Sequence, residues 1–168
     1  MNKELEFTIV YNRYKKQLYN YAFKMTRDRM IAEDIIQSVF EKYYSNMQDI
    51  RSADASSYWL FTTARNLIYM YFRSRKVRFT EDIDNVEAAD DVNLPESLFE
   101  NAELKTMMDE AVSALPVEFR EVFVLREYSG LSYDEIAASL QIEEKLVKSR
   151  LFSARRKLLC KLSEKVNN

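Results

Sequence analysis

The sequence predicts an all-α protein with two small helical domains, joined by an acidic flexible linker, the second domain ending in a helix-turn-helix. The 168 residues include one Gly and two Pro, too few breakers for a β-rich chain of this length. Apolar residues recur at steps of three and four over several long stretches. A strongly acidic stretch without helical period, 80–98, separates domains at 1–79 and 99–168.

The first domain is predicted to contain helices over about 5–25, 29–47 and 58–77. In the second of these helices, Phe40 belongs to the inner, apolar face. Another side of the same helix carries an exposed polar row, formed by Asp34, Gln37 and Glu41. A polar row beside an aromatic ring is either plain solvated surface or a docking site for a partner protein.

The third helix follows a loop predicted over 49–57, with Ser56 or Ser57 as its N-cap. Its exposed strip interleaves cations, an amide and aromatic rings: Arg65, Asn66, Tyr69, Phe72, Arg73 and Lys76. Cations bind phosphates, and rings stack on unpaired bases with about 1–3 kcal/mol per base. The strip therefore suits single-stranded or melting DNA. The alternative is that Tyr69 and Phe72 pack against neighbouring helices.

The second domain ends in the predicted helix-turn-helix. Pro116 suits the start of one helix and Gly130 its end. Ser132 with Glu135 then predicts a capping box at the start of a short helix. The last helix has an apolar face, and its outer face carries Lys148, Ser149, Phe152, Arg155 and Arg156. Such a face fits the DNA major groove, although a solvated amphipathic helix would share the pattern.

Charge is segregated along the chain in a way that its net charge of -2 hides. Residues 58–79 contain five basic residues and no acid, and residues 145–165 contain eight basic residues and one acid. Between them, residues 80–110 contain a single base, Lys105. Two basic surfaces separated by an acidic connector indicate two contacts with one polyanion.

Several classes of function are disfavoured by composition. The chain has no His and one Cys, so no internal disulfide and no cysteine–histidine metal set can form. We expect Cys160 to be a packed thiol. With no Gly-rich phosphate loop and no evident carboxylate pair, we predict no enzyme, no cofactor and no small-molecule substrate. Neither a signal peptide nor a membrane-spanning run is evident, so a cytoplasmic location is expected.

The motifs and their order resemble the extracytoplasmic-function sigma factors of bacterial RNA polymerase, which belong to the seventy-kilodalton sigma family. The resemblance rests on four segments, which are AEDIIQSVF, YWLFTTARNLIYMYFRSR, LPVEFREVFVLREYSGLSYDEIAASL and VKSRLFSARRKL, with the acidic stretch between the second and the third. It covers nearly the whole chain. Any one segment is moderately specific, whereas all of them in this order are highly specific.

The resemblance implies a role for each segment. Asp34, Gln37 and Phe40, with Glu41, would bind core polymerase. The helix around Arg65 and Asn66 would capture the opened −10 element, with the 49–57 loop holding a flipped base, and the helix containing 147–151 would read the −35 element. The resemblance also implies an anti-sigma factor as a partner. The competing interpretation is a stand-alone helix-turn-helix regulator, which would need neither the polar row nor the aromatic strip.

Some positions depart from the family pattern and leave the −35 contacts open. Gln141 stands where Gly is usual, and because a non-Gly residue in left-handed geometry costs about 1–2 kcal/mol, a rearranged turn is expected. Leu146 removes the usual threonine cap, and Ser153 stands where a basic residue is common. Glu143 and Glu144 are then expected to serve the helix dipole.

Overall fold

Seven α-helices and one short 3-10 helix make up the described part of the chain, residues 2–78 and 102–167 of a computed structural model. The first helical group contains α1 (Lys3–Thr26), α2 (Arg29–Asn46), the 3-10 helix (Met47–Asp49) and α3 (Ala53–Arg78). The second contains α4 (Ala102–Ser113), α5 (Val117–Glu127), α6 (Tyr133–Leu140) and α7 (Glu144–Val166). The predicted all-α class is confirmed. The predicted linker and the predicted start of the second domain at 99 lie outside the described residues.

Local capping explains where the first two helices begin. The Asn2 side chain accepts a hydrogen bond from the Glu4 amide at 3.1 Å, and the Asp28 carboxylate accepts one from the Ile31 amide at 3.1 Å. Between α1 and α2, Arg27 adopts a left-handed conformation with φ of 59°. Both helices therefore have ends close to those that periodicity predicts.

The start of α3 differs from the prediction. The helix begins at Ala53 because Ser52, and neither Ser56 nor Ser57, supplies the cap: its Oγ accepts from the Ala55 amide at 3.0 Å. Ser56 and Ser57 are buried inside the helix, where the Ser56 hydroxyl lies 3.1 Å from that of Tyr43. The predicted loop over 49–57 is therefore wrong, and only residues 50–52 connect the 3-10 helix to α3.

The helix-turn-helix consists of α6 and α7. The Ser132 hydroxyl caps α6 by accepting from the Glu135 amide at 3.2 Å, which confirms the serine half of the capping box. Its hydrogen bond with the Glu135 carboxylate, at 3.1 Å, joins the two side chains to each other. Gly130, before this helix, has a φ of 73°, in the left-handed region that favours glycine.

The turn between α6 and α7 keeps the left-handed geometry for which glycine is usual. Gln141 has φ 58° and ψ 45°, its amide donates to the Ala137 carbonyl, and the Ile142 amide donates to the same carbonyl at 3.1 Å. The expected rearrangement of this turn is therefore wrong. The two hydrogen bonds and the packing of α6 on α7 hold Gln141 in a conformation that its Cβ disfavours.

Gln141→Gly should raise the free energy of unfolding by about 0.5–1 kcal/mol, because relief of left-handed strain exceeds the added entropy of an unfolded glycine. Urea denaturation followed by circular dichroism would measure the change. Ala138→Gly, at an exposed position inside α6, is the matched control and should lower stability by about 1 kcal/mol. A Gln141→Gly protein less stable than the unaltered chain would contradict the assigned strain.

The two helical groups pack directly on each other, α1 against α5 and α3 against α6. Buried residues of both groups, including Tyr21, Phe61, Leu125 and Leu151, form one continuous core.

Cys160 is exposed, so the prediction of a packed thiol is wrong. The neighbouring Leu159 is also 67% exposed, because it and Cys160 lie on the outer side of α7, whereas Leu158 is buried in the core. No helix within residues 2–78 and 102–167 has the length and apolar character needed to cross a bilayer.

Candidate functional site

The polar row on α2, formed by Asp34, Gln37 and Glu41, is exposed along its whole length. The Gln37 amide donates to the Glu41 carboxylate at 3.2 Å, so the two side chains are held side by side. These residues lie three and four positions apart and share one side of the helix. We call this set the α2 row. It presents amide and carboxylate groups to solvent, as a hydrogen-bonding contact with another protein requires.

Phe40, next to the α2 row, is 4% exposed and belongs to the core. Its ring meets Tyr11 edge-on with centroids 4.8 Å apart and Phe7 with centroids 6.1 Å apart. It lies at an open groove of about 1330 Å³ between α1 and α2, whose exposed aromatic residues are Tyr11 and Tyr44. The sequence left open a docking site with Phe40 as its aromatic residue; the Phe40 ring is buried, and Tyr11 and Tyr44 are the exposed rings of the groove.

The strip on α3 divides into two parts. Asn66, Arg73 and Lys76 are exposed. Arg65, Tyr69 and Phe72 are half-buried, and Phe72 packs against the core and against the Tyr69 ring, with centroids 6.0 Å apart. The alternative interpretation, in which the aromatic residues pack against neighbouring helices, therefore describes part of the arrangement.

Arg65 is bound by an acid of the second helical group. Its Nε lies 2.8 Å from Oε1 of Glu121, whose side chain is 2% exposed, and its guanidinium stacks 4.4 Å from the centroid of the Tyr69 ring. Burial and the nearby Glu121 carboxylate raise the pKa of Tyr69. Sequence reasoning missed Glu121. The sequence did contain a signal for it. Glu121 falls among the apolar, inward-facing positions of α5, next to Val122 and near Leu125, whereas Glu118 is exposed.

Further polar contacts join the two helical groups, and we call the whole set the group interface. The Thr62 hydroxyl donates to the Ser139 carbonyl at 2.8 Å. The Lys24 ammonium lies 3.0 Å from the Asp109 carboxylate. Gln17 and Ser129 exchange two hydrogen bonds, at 3.0 and 2.9 Å, between the side chain of each and the backbone carbonyl of the other. The interface thus runs from the C-terminal half of α1 to the middle of α3.

The outer face of α7 is open to solvent. All five of its predicted site residues are exposed: Lys148, Ser149, Phe152, Arg155 and Arg156. Phe152 is 67% exposed, which is unusual for so large an apolar side chain. Lys148 pairs with Glu144 at 3.4 Å and Arg155 with Glu127 at 3.2 Å. Such exposed pairs contribute little to stability.

The N-cap and first turn of α7 contain three residues that depart from the family pattern: Glu143, Glu144 and Leu146. Glu143 occupies the N-cap position without a side-chain hydrogen bond to the helix, and Glu144 lies in the first turn. Negative charges at the N-terminus of a helix interact favourably with the helix dipole. Leu146 is 39% exposed, so it replaces the usual threonine without entering the core. Within residues 2–78 and 102–167, no group of three or more acidic or thiol side chains is placed to hold a metal ion.

Both helical groups have counterparts among known proteins. The sigma-70 region 2 family matches residues 10–78, and the sigma-70 region 4 family matches residues 105–158. The ECF RNA polymerase sigma factor SigM of Bacillus subtilis (strain 168) is 33% identical over 169 residues, spanning 95% of this chain and 96% of SigM. The ECF RNA polymerase sigma-E factor of Escherichia coli (strain K12) is 32% identical over 131 residues, spanning 73% of this chain and 69% of that factor.

Two solved structures share the fold. The sigma factor RpoE from Bartonella quintana, in complex with the anti-sigma factor NepR, aligns with a TM-score of 0.73 at 23% identity over 95% of this chain and 96% of that chain. CnrH, in complex with the cytosolic domain of CnrY, aligns with a TM-score of 0.68 at 22% identity over 96% and 90%. The likeness covers both helical groups together.

Proposed function

The chain belongs to the extracytoplasmic-function family of RNA polymerase sigma factors, and from this premise we propose that it binds core RNA polymerase and directs it to promoters with separate −10 and −35 elements. It supplies no catalytic group, since RNA synthesis belongs to the core enzyme. Its place of action is accordingly the cytoplasm. Domains at 1–79 and 99–168 are proposed to divide the two promoter contacts between them.

The first domain is proposed to bind polymerase through the α2 row. The observation that carries the proposal is the exposure of Asp34, Gln37 and Glu41 beside an aromatic groove. A regulator that only binds duplex DNA has no use for such a surface. Phe40 is buried beneath this surface, where its ring packs against Tyr11 and helps to fix the position of that exposed ring.

The −10 element is proposed to bind along α3. Asn66, Arg73 and Lys76 are exposed and offer hydrogen bonds and cations to an unpaired strand, and the half-buried Tyr69 and Phe72 lie beside them on the same helix. Extruding a base costs a few kcal/mol, which contacts with the base and its phosphates must offset. Residues 53–57 are helical. A pocket for the extruded base could therefore take loop residues only from 50–52 in this connection.

The −35 element is proposed to bind the outer face of α7. Lys148, Arg155 and Arg156 supply phosphate contacts, and Ser149 and Phe152 supply hydrogen-bonding and apolar contacts in the major groove. One of the two solved structures with this fold is bound to the anti-sigma factor NepR, and the other is bound to the cytosolic domain of CnrY. We therefore propose an anti-sigma factor as a partner of this chain as well.

Gln37→Ala should weaken association with core polymerase about tenfold, because it removes an amide from the centre of the docking row. Fluorescence anisotropy of the labelled chain titrated with core enzyme would measure affinity, and run-off transcription would report function. Lys42→Ala is the control: Lys42 is exposed on the same helix and does not line the groove. Equal losses in both variants, or none in either, would contradict the docking assignment.

The alternative function, a stand-alone helix-turn-helix regulator, makes the opposite prediction for the unaltered chain. Such a regulator would bind a duplex site tightly in the absence of polymerase and would not co-elute with the core enzyme. Run-off transcription with the reconstituted holoenzyme separates the two functions. It also maps the promoters that the factor recognises.

A further inference from the structure

The exposed residues at the start of α7 form a central line and a flank. At about 100° per residue, Ser149 and Phe152 lie within about 40° of Lys145 around the helix axis. The buried Ala154 lies on the opposite side of the helix, so the central line points directly away from the core. Lys148 lies about 60° to one side of this line. In a helix seated in the major groove, the central line faces the base edges and the flank faces the phosphates.

The cations of the flank are paired with acids of the chain, whereas Lys145 is not. Lys148 pairs with Glu144 at 3.4 Å, and Arg155, on the same flank, pairs with Glu127 at 3.2 Å. Lys145 is exposed, and in the part of the chain that the structure describes its ammonium makes neither an ion pair nor a hydrogen bond. Its charge is therefore available to a ligand without the loss of an intramolecular partner.

Local electrostatics disfavour a cation at position 145. The residues three and four positions away share its side of the chain, and none of them is an acid; they are Gln141, Ile142, Lys148 and Ser149. A cation in the first turn of a helix also interacts unfavourably with the helix dipole. A residue that breaks such local rules without a compensating contact is expected at a functional site.

The chemistry of an ammonium group favours guanine over the other bases. In the major groove guanine presents two acceptors, O6 and N7, whereas adenine presents one acceptor beside a donor and cytosine presents a donor. An ammonium has three donors and no acceptor, so guanine offers it the most hydrogen bonds. Lys145 lies in the first turn of α7, the part of a recognition helix that approaches the base edges.

We propose that Lys145 is a specificity-determining residue of the −35 contact, whose ammonium donates to O6 and N7 of a guanine, while Lys148 and Arg155 neutralise phosphates beside it. The inference rests on the proposed function, since it concerns the duplex element that α7 would bind. Phe152 lies seven residues further along the helix, which is about 10 Å. At about 3.4 Å per base pair, the guanine lies about three base pairs from the base that Phe152 contacts.

Lys145→Ala should remove discrimination at one base pair. Reconstituted holoenzyme is titrated with a labelled −35 duplex from a promoter mapped by run-off transcription, and with duplexes in which each G·C pair in turn is replaced by A·T. For the unaltered chain, replacement of the pair that Lys145 reads should weaken binding about tenfold, because adenine places a donor where guanine has O6. For Lys145→Ala the same replacement should change affinity less than about twofold.

Two further variants separate base reading from simple charge. Lys145→Arg keeps several donors and should retain the preference for guanine. Lys148→Ala should weaken binding to all the duplexes by the same factor and should lower the slope of log affinity against log salt concentration by about 0.9. Lys145→Ala should leave that slope nearly unchanged. Circular dichroism verifies that each variant remains folded.

Two results would overturn the inference. If Lys145→Ala weakens binding to every duplex equally and lowers the salt slope, Lys145 contacts a phosphate; if it changes no affinity, Lys145 contacts no DNA. In both cases the proposed function would stand, provided that the unaltered holoenzyme binds the −35 duplex more tightly than unrelated DNA. A holoenzyme without that preference would instead remove the −35 assignment itself, and the inference with it.

Discussion

Phe40→Ala should lower the free energy of unfolding by about 3–5 kcal/mol, the largest change that we expect from a substitution near the α2 row. The ring is 4% exposed and meets both Tyr11 and Phe7, so its removal leaves a cavity between α1 and α2. Gln37→Ala, three residues away and exposed, should change stability by about 0.5 kcal/mol or less. Urea denaturation of both variants measures the difference.

This result decides how the docking role of Phe40 can be tested. In Phe40→Ala, weaker polymerase binding would mix a lost contact with partial unfolding. Phe40→Leu retains much of the apolar volume and should cost less stability than the alanine change. If Phe40→Ala instead cost under about 1 kcal/mol, the ring would not be the core element that its burial indicates.

Replacing Lys148 and Arg155 together with alanine should sharply weaken binding to −35 duplex DNA. If each cation neutralises one phosphate, the slope of log affinity against log salt concentration should fall by about 0.9 for each lost contact. Both side chains are exposed on the outer face of α7, and their ion pairs with Glu144 and Glu127 are exposed as well. Titrations of holoenzyme with labelled duplex at several salt concentrations measure the slope.

Lys161→Ala is the control for this pair. Lys161 is exposed and lies thirteen residues after Lys148, which places it on another side of the helix at 100° per residue. Its removal should leave the slope nearly unchanged. An unaltered slope in the double variant would mean that Lys148 and Arg155 do not contact phosphates.

Helices and their faces were predictable because burial imposes a 3.6-residue period on the chain. Periodicity placed α1 and α2 within two residues of their observed ends. It also identified the exposed face of α7. It failed at the start of α3, where several serines can serve as the cap and the apolar pattern does not distinguish Ser52 from Ser56 or Ser57. Tertiary contacts made that choice, since Ser56 is buried beside Tyr43.

Contacts between distant segments were beyond the reach of periodicity. Arg65 and Glu121 are 56 positions apart, and no local pattern pairs them. The strip on α3 was accordingly predicted as one exposed surface, whereas the structure divides it. Gln141 shows a related limit: local propensity disfavours its left-handed geometry, yet the hydrogen bonds of the turn and the packing of α6 on α7 impose it.

The pairing of Arg65 with Glu121 also has an evolutionary consequence. Selection on Arg65 acts on two equilibria at once, because the same guanidinium serves an intramolecular partner and the proposed nucleic-acid ligand. Glu121 takes part only in the intramolecular ion pair. A substitution at Glu121 would therefore alter the intramolecular pairing and leave the proposed −10 contact side chain in place, whereas a substitution at Arg65 would alter both.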